Sequence, residues 1–220
     1  MMDEFSLEGL DALADYVCQN SYNAVMAEVA KLPKGTFRSS MTIDGYDKPL
    51  QLVAEVTISD DGISVDYDGT SPQSRYGVNV PHAYTIAYTC FGLSCIVSPD
   101  VPNNAGSLAP FTVRAPEGSI LNAPYPAAVC SRHVIGQMLP DTVFGCLAQA
   151  VPERIPAEGA GCLWNLTFRG ETDRGSNDAS IFCITAVTNG GTGARPSKDG
   201  LSATAYPSGV RGTPVEINES

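Results

Sequence analysis

The sequence predicts an α+β fold, with mixed or antiparallel strands and hairpins packed with about three helices. Apolar residues recur at helical spacing in three segments, and in several others they alternate with polar residues as strands require. The two kinds of segment are intermixed and do not alternate strictly, which favours α+β over a parallel α/β fold. A chain of 220 residues is long enough for one well-buried core, and no repeat or linker divides it. We therefore expect a single domain, or a fragment of a larger subunit, over residues 1–220.

The predicted helices follow from apolar residues at steps of three and four. They cover residues 6–32, 81–97 and 134–151. Pro33 and Gly35 end the first helix. Pro140 either kinks the third helix or begins a second one, with Asp141 near the positive N-terminus. Residues 98–110 contain three prolines and two asparagines, so we expect an ordered loop there.

The predicted strands follow from alternation of apolar and polar residues. They cover residues 37–43, 50–59, 63–67, 111–114, 119–121, 163–168 and 181–187. The turn Asp60-Asp61-Gly62 joins the second strand to the third and predicts a β-hairpin. A polar turn over residues 169–177 separates the last two strands, and the tail from Asn189 shows little periodicity.

Charge and cysteine content exclude several classes of function. The net charge is −11 and the 13 basic residues are scattered, so we expect no nucleic-acid partner. The seven cysteines are odd in number and form no CxxC pair, which argues against both a zinc site and a disulfide framework. The acidic N-terminus has no signal peptide, and no apolar stretch is long enough to span a membrane. We expect a cytoplasmic protein without a membrane partner.

Two carboxylates open the first candidate site, at residues 66–73. If the strand alternation persists, Asp66 and Asp68 share a polar face about 7 Å apart, because two strand residues span that distance. Such a pair can bind a cation or divide acid and base roles. In the alternative interpretation the segment is a strand end, and Asp68 caps the turn at Gly69 and Thr70.

A thiol and an imidazole lie three residues apart just before a predicted helix. Cys130 and His133 would share a helical face, which allows a Cys-His nucleophile. No third orienting group is visible, and cysteines are often simply buried. Arg132, as a partner for an anion or a carboxylate, is the better functional candidate of this segment.

The glycine-rich residues 189–195 resemble a phosphate loop only superficially. A Walker loop ends in Gly-Lys-Ser or Gly-Lys-Thr and runs into a helix, whereas here Arg195 and Pro196 follow. The glycines imply positive φ angles or a close approach to another segment or subunit. Arg195, Lys198 and Asp199 are candidates for a polar cluster at this place.

Several motifs occur in one order along nearly the whole chain. They are Asp66-x-Asp68-Gly69-Thr70-Ser71-Pro72-Gln73, Pro102-Asn103-Asn104-Ala105-Gly106, Ala115-Pro116-Glu117-Gly118-Ser119-Ile120-Leu121-Asn122, Pro124-x-Pro126-Ala127-Ala128-Val129, Arg132, Asp141, the turn over residues 147–152, Pro156-Ala157, Asn165-Leu166-Thr167-Phe168, Gly190-Gly191-Thr192-Gly193-Ala194-Arg195-Pro196-x-x-Asp199-Gly200 and Pro214-Val215-Glu216. In this order they resemble the hydantoinase B/oxoprolinase family.

The resemblance implies a function that spacing does not reveal. Members are similar to subunits or halves of ATP-dependent enzymes that open cyclic amides such as hydantoins and 5-oxoproline, and relatives carboxylate ketones, as in the alpha subunit of acetone carboxylase. In these enzymes ATP binds to a partner subunit of the hydantoinase A type. The mechanism that they share is activation of a carbonyl or enol oxygen by phosphorylation. Asp66, Asp68, Arg132 and Arg195 are then the candidate catalytic residues.

The chain departs from the family in its extent. Members are more than twice as long, and their earlier part carries a His- and Asp-containing metal motif that is not found here. We therefore expect ATP and a divalent metal elsewhere in the complex, no cofactor or metal held by this chain, and an inactive isolated chain. Its expected partners are a hydantoinase A-type subunit and the missing N-terminal portion of its own subunit. Alternatives are a fragment of a ketone carboxylase, a non-catalytic assembly domain and a self-contained Cys-His hydrolase.

Overall fold

A computed structural model describes residues 9–161, 163–172 and 180–202 of the chain. By internal packing the chain divides into two units, Met1–Ile155 and Pro156–Ser220. The single-domain organisation expected from the sequence stays a prediction. The motif Pro214-Val215-Glu216 lies outside the described residues.

The first unit is built on a four-stranded sheet with the strand order β1-β2-β3-β4. The strands are β1 (Gly35–Ile43), β2 (Leu50–Ser59), β3 (Gly62–Asp66) and β4 (Phe111–Arg114). Neighbouring strands among β1, β2 and β3 pair antiparallel, as the hairpin prediction requires, whereas β4 pairs parallel to β3. The parallel pairing places Asp66 directly opposite Arg114.

The helices of the first unit cover one face of this sheet. They are α1 (Asp11–Val29), α2 (His82–Val97), α3 (Ala105–Leu108), α4 (His133–Gly136) and α5 (Leu139–Leu147), followed by a 3-10 turn at Pro152–Arg154. Helix α5 packs on β1 and β2, and α2 packs on α5 and β4. Pro140 lies in the first turn of α5, where its missing N–H leaves no helical bond unmade.

The core lies between the sheet and these helices. Every second residue of β2 is buried, including Leu52, Val56 and Ile58. Leu139 and Leu147 of α5 are buried as well. The period-two pattern therefore turns one face of the sheet inward, as the sequence predicted. The α+β fold class is confirmed, and α1 and α2 confirm the first two predicted helices.

Two details of the sequence prediction are wrong. Residues 98–110 are not all loop, because α3 forms within them: the Asn104 side chain accepts hydrogen bonds from the backbone of Gly106 and Ser107. Residues 119–121 do not form a strand and contribute only an isolated bridge from Ser119 to Pro72. The third predicted helix is divided into α4 and α5, and Pro140 lies in the first turn of α5, which is one of the two alternatives that the sequence left open.

The second unit contains an antiparallel pair of strands, β5 (Leu163–Glu171) and β6 (Ile181–Asn189). Both confirm predicted strands, and β5 extends three residues further than expected. The predicted polar turn therefore starts later than residue 169, and residues 173–179 lie outside the described part. No helix among the described residues has the length and apolar character that a membrane crossing requires.

Candidate functional site

The turn over residues 66–73 is fastened to β2 by hydroxyl side chains. Thr70 Oγ1 accepts a hydrogen bond from the Val53 N–H (3.0 Å) and donates one to the Val53 carbonyl (3.1 Å). Ser71 Oγ accepts from the Gln51 N–H at 2.9 Å, and the Ser71 N–H donates to the Gln51 carbonyl at the same distance. Side-chain oxygens thus replace part of the backbone ladder where β3 has ended.

The same turn pairs with residues 115–122. The Ile120 N–H donates to the Ser71 carbonyl at 2.9 Å, and the Gln73 N–H donates to the Gly118 carbonyl at 2.8 Å. Two of the motifs identified in the sequence therefore pair with each other in the structure. We refer to residues 66–73 and 115–122 together as the motif surface.

The two candidate carboxylates of the motif surface differ in their surroundings. Asp66 forms an ion pair with the Arg114 guanidinium, and its Oδ1 accepts from the Asp68 N–H at 3.0 Å. The Asp66 side chain is 36% exposed, whereas Asp68 lies at the exposed end of the turn. Asp66, rather than Asp68 as the alternative interpretation held, supplies the side-chain cap. Asp68 is the carboxylate with access to a ligand.

Asn79 holds the loop that follows the motif surface. Its side chain is fully buried, and its Oδ1 accepts from the Ser74 N–H at 2.7 Å. Its Nδ2 donates to the carbonyls of Ser74 (2.8 Å), Tyr76 (2.9 Å) and Ala128 (2.9 Å). Sequence reasoning missed this residue, although an asparagine between two valines was a visible signal for a satisfied buried amide.

A second cluster that sequence reasoning missed lies on this loop. Arg75 Nη2 donates to Asp47 Oδ1 at 2.9 Å and to the Tyr76 hydroxyl at 2.7 Å. The Tyr76 hydroxyl in turn donates to Asp47 Oδ1 at 2.7 Å, and its ring centre lies 4.6 Å from that of Tyr46. The Tyr76 hydrogen bond, with help from Arg75, holds the pKa of the Asp47 carboxyl below its usual value. The partners are 28 residues apart, so no local motif reveals them.

A cavity of about 120 Å³ adjoins this cluster and the motif surface. Its lining includes Leu50, Pro72 and Val78 as apolar residues and Lys48, Gln73 and Arg75 as polar ones. A larger hollow of about 590 Å³ lies between α1, α2 and the loop after α2, and its lining shares no residue with the motif surface. The smaller cavity is therefore the better candidate for a site tied to the motifs.

Arg132 and Cys130 lie on the segment that leads into α4. Arg132 is exposed, its Nη1 donates to the Val129 carbonyl at 3.3 Å, and its guanidinium carbon lies 5.9 Å from the centre of the Tyr84 ring. The exposed Cys130 thiol lies 3.8 Å from the Gly77 carbonyl oxygen. A carbonyl does not activate a thiol, so this contact gives the Cys-His interpretation no support.

Backbone groups of the glycine-rich loop in the second unit bond to other protein groups. The N–H of Thr192 donates to the Leu201 carbonyl, and the N–H of Arg195 donates to the Lys198 carbonyl, both at 2.8 Å. A Cβ on Gly193 would lie 1.8 Å from the Ala157 carbonyl oxygen. The loop thus makes the close backbone approach that its glycines predicted. These two N–H groups are therefore not available to a phosphate.

Arg195 fastens this loop to itself. Its Nη2 donates to the backbone carbonyl of Asp199 at 2.9 Å, and the side chain is exposed. Arg195 belongs to the second unit, whereas Asp66, Asp68 and Arg132 belong to the first. Its predicted catalytic role stays a prediction, and so do those of the other three residues.

In the described part of the chain, the side chains do not form a set of donors that fits a metal ion. No three His, Cys, Asp or Glu side chains lie close enough together there to hold an ion. Asp66 and Asp68 form a turn instead of a paired ligand set.

The family model described as hydantoinase B/oxoprolinase matches residues 1–220, the full length of the chain. The chain belongs to the hydantoinase B/oxoprolinase family. The resemblance inferred from the sequence motifs is therefore confirmed.

Similar proteins are much longer than this chain. It is 29% identical to the B-type subunit of a putative D-/L-hydantoinase from a Pseudomonas species, aligning in full with 39% of that protein. It is 31% identical to 5-oxoprolinase 1 of Arabidopsis thaliana, aligning in full with 17% of that protein. The chain therefore corresponds to well under half of either relative.

Two solved structures share the fold. The ATP-dependent caprolactamase of Pseudomonas jessenii matches 92% of this chain over 36% of its own, with a TM-score of 0.78 and 23% identity. A nucleotide-free acetone carboxylase structure matches 84% of this chain over 27% of its own, with a TM-score of 0.69 and 18% identity. At these identities the likeness concerns the fold alone.

Proposed function

We propose that this chain is part of a subunit of an ATP-dependent enzyme that opens cyclic amides of the hydantoin or 5-oxoproline type. The family match over the whole chain carries the proposal. The presence of a hydantoinase and a 5-oxoprolinase among its relatives supports this substrate class. The enzyme acts in the cytoplasm.

The contribution of this chain is to bind and position the substrate. Its described residues offer no metal site, and its glycine-rich loop has Thr192 and Arg195 N–H groups engaged within the protein. ATP and a divalent metal are expected on other parts of the complex. A hydantoinase A-type subunit supplies the ATP site, and the portion of a hydantoinase B-type subunit that has no counterpart here supplies the rest.

The four candidate residues divide into two groups by their contacts. Asp68 and Arg132 are exposed, and they are the candidates for touching a substrate or a partner. Asp66 pairs with Arg114, and Arg195 bonds to the Asp199 carbonyl, so both act as positioning residues. The Asp66 carboxylate accepts a hydrogen bond from the Asp68 N–H and so fixes the position of Asp68. Asp66 can therefore influence the site without touching the substrate.

The test is reconstitution of this chain with a hydantoinase A-type partner and with the portion of a hydantoinase B-type subunit that has no counterpart here. ATP hydrolysis is measured with hydantoin, 5-oxoproline, caprolactam and acetone. The proposal expects a cyclic amide to stimulate ATP hydrolysis and to be opened. A complex that forms but responds to none of these compounds contradicts it. Stimulation by acetone alone, with bicarbonate present, would assign a ketone carboxylase instead.

Two variants separate catalysis from assembly. Asp68→Asn and Arg132→Gln are each expected to lower turnover about tenfold or more, because each removes a charged group proposed to position the substrate and to stabilise its transition state. Asp61→Asn, in the exposed turn after β2, is the matched control and leaves turnover unchanged. If both variants assemble normally and turn over like the wild type, the chain is a non-catalytic assembly domain.

A further inference from the structure

The Arg75 guanidinium is held in place by one of its two terminal nitrogens. Nη2 makes the bonds to Asp47 and to the Tyr76 hydroxyl, while Nε and Nη1 make no hydrogen bond to the described residues. The guanidinium carbon also lies 4.9 Å from the centre of the Tyr76 ring. An arginine anchored in this way keeps free donors in a fixed orientation, which suits recognition of a carboxylate.

The loop that carries Arg75 is fixed from below. The Asn79 side chain bonds to both the N–H and the carbonyl of Ser74 and to the carbonyl of Tyr76. In addition, Ser74 Oγ accepts a hydrogen bond from the Tyr76 N–H at 3.1 Å. Arg75 therefore sits between two residues whose backbones are held by a buried amide. Little ordering is left for a ligand to impose on this loop, and preorganisation of this kind favours binding.

The cavity beside Arg75 is cationic within an acidic chain. Lys48 and Arg75 line it together with the single carboxylate of Asp47, whereas the whole chain carries a net charge of −11. The pKa of Asp47 is lowered, so this carboxylate stays ionised and maintains its ion pair with Arg75. One positive charge remains uncompensated among the lining side chains, which favours a monoanion.

The size and lining of the cavity restrict the ligand further. A volume of about 120 Å³ admits only a small ligand. Leu50 and Val78 are buried and supply an apolar floor. The Gln73 amide offers one donor group and one acceptor, the complement of a ring amide.

We propose that this cavity binds a small cyclic monocarboxylate, with the carboxylate on Arg75 and Lys48 and the ring on Leu50 and Val78. The inference rests on the proposed function and sharpens its substrate class: the cyclic amide carries a carboxylate, as 5-oxoproline does, and is not a neutral lactam or ketone. Tyr46, beside Tyr76, forms the aromatic wall of the site.

The test is a titration of the isotopically labelled 220-residue chain, followed by amide chemical shifts. The ligands are 5-oxoproline, its neutral parent lactam pyrrolidinone, and acetate. 5-Oxoproline is expected to shift the amides of Arg75 and Tyr76 and to bind about tenfold or more tightly than pyrrolidinone, because charge-assisted hydrogen bonds are lost with the carboxylate. Equal affinity of the acid and the lactam, or shifts confined to other residues, overturns the inference.

Variants locate the carboxylate contact. Arg75→Gln is expected to weaken 5-oxoproline binding about tenfold or more, and Arg75→Lys several-fold, since lysine keeps the charge but not the fixed fork. Lys31→Gln, an exposed cation beside Glu28, is the control and leaves binding unchanged. Because Arg75 is exposed, its replacement is compatible with folding, which the unshifted amides of β2 verify. Wild-type affinity in Arg75→Gln contradicts the assignment.

Turnover by the reconstituted complex separates this inference from the proposed function. A complex that opens neutral cyclic amides as fast as 5-oxoproline overturns the carboxylate site and leaves the function standing. A chain that binds 5-oxoproline through Arg75, in a complex that opens no cyclic amide, supports the site and removes the function. Acetate binding as tightly as 5-oxoproline overturns the cyclic part of the inference.

Discussion

Two motif loops of this chain look like ligand loops in the sequence and are built in opposite ways. The turn over residues 66–73 is fastened by added groups, the hydroxyls of Thr70 and Ser71 on β2. The loop over residues 189–200 depends instead on the absence of a side chain. Because Gly193 has no Cβ, the neighbouring backbone comes so close that a Cβ there would overlap with it. Both loops are ordered by contacts within their own unit.

The difference shows how to tell a structural motif from a binding motif. A polar side chain that bonds only to backbone can be replaced by another that keeps the same atom, whereas a glycine at a close approach tolerates no replacement. Residues of either loop that touch a ligand would instead affect turnover more than stability. Four substitutions, two of them with a matched control, separate these cases.

Gly193→Ala is expected to have the largest effect, a loss of about 3 kcal/mol in the free energy of unfolding of the second unit. The new Cβ would lie 1.8 Å from the Ala157 carbonyl oxygen, and backbone cannot move aside as a side chain can. Trp164 is the only tryptophan and lies in β5, so its fluorescence during urea unfolding reports on this unit.

Gly118→Ala is the matched control for Gly193→Ala. Gly118 has a φ of +79°, but a Cβ added there would meet no atom within 4 Å, so only backbone strain of about 1 kcal/mol opposes alanine. Gly193 has no left-handed φ, so equal destabilisation by the two substitutions would mean that the close approach to Ala157 costs no more than ordinary backbone strain.

Thr70→Val is expected to cost about 2 kcal/mol, since it leaves the N–H and the carbonyl of Val53 without their partner. Thr70→Ser keeps the oxygen and is expected to cost less than about 1 kcal/mol. Urea unfolding followed by circular dichroism measures both. A larger loss in Thr70→Ser than in Thr70→Val would indicate that the methyl group, and not the hydroxyl, fastens the turn.

Asp66→Asn is expected to cost less than about 1 kcal/mol, because its ion pair with Arg114 is partly exposed. The amide keeps an oxygen for the Asp68 N–H. The difference from the wild type should shrink at about 1 M salt, where the Debye length is roughly 3 Å. A loss that is larger and independent of salt would place Asp66 in a different role.

Arg195→Gln is expected to change stability least, by less than about 0.5 kcal/mol, because the bond to the Asp199 carbonyl is exposed. Thermal unfolding of the chain measures this change in stability. Turnover of the reconstituted complex tests separately whether Arg195 has a catalytic role. Turnover that falls about tenfold while stability and assembly hold would make Arg195 catalytic. Unchanged turnover assigns it to the loop alone.

Much of the fold follows from local periodicity. Strand β2 and helix α2 were predicted to within one residue, because each buries one face over many residues. Helix α3 was missed because four residues are too few to show a helical period. The parallel pairing of β4 with β3 was not predictable either, since it joins residues 48 apart in the case of Asp66 and Arg114.

The site was less predictable than the fold. The sequence motifs indicated Asp66 and Asp68 but not which of them is engaged, because that depends on Arg114 across the sheet. Arg75 and Asp47 carry no motif at all and meet only through folding. Chemistry made by one segment is visible in a sequence, whereas chemistry made by two segments requires their three-dimensional placement.

The amide of Asn79 has a consequence for the order in which the protein assembles itself. Its bond to the Ala128 carbonyl spans 49 residues. During synthesis, the loop beside Arg75 waits for a segment that leaves the ribosome much later, and closing so long a loop costs entropy before the bond repays it. We expect the four-stranded sheet to begin with its hairpin and the Arg75 loop to be locked among the last parts.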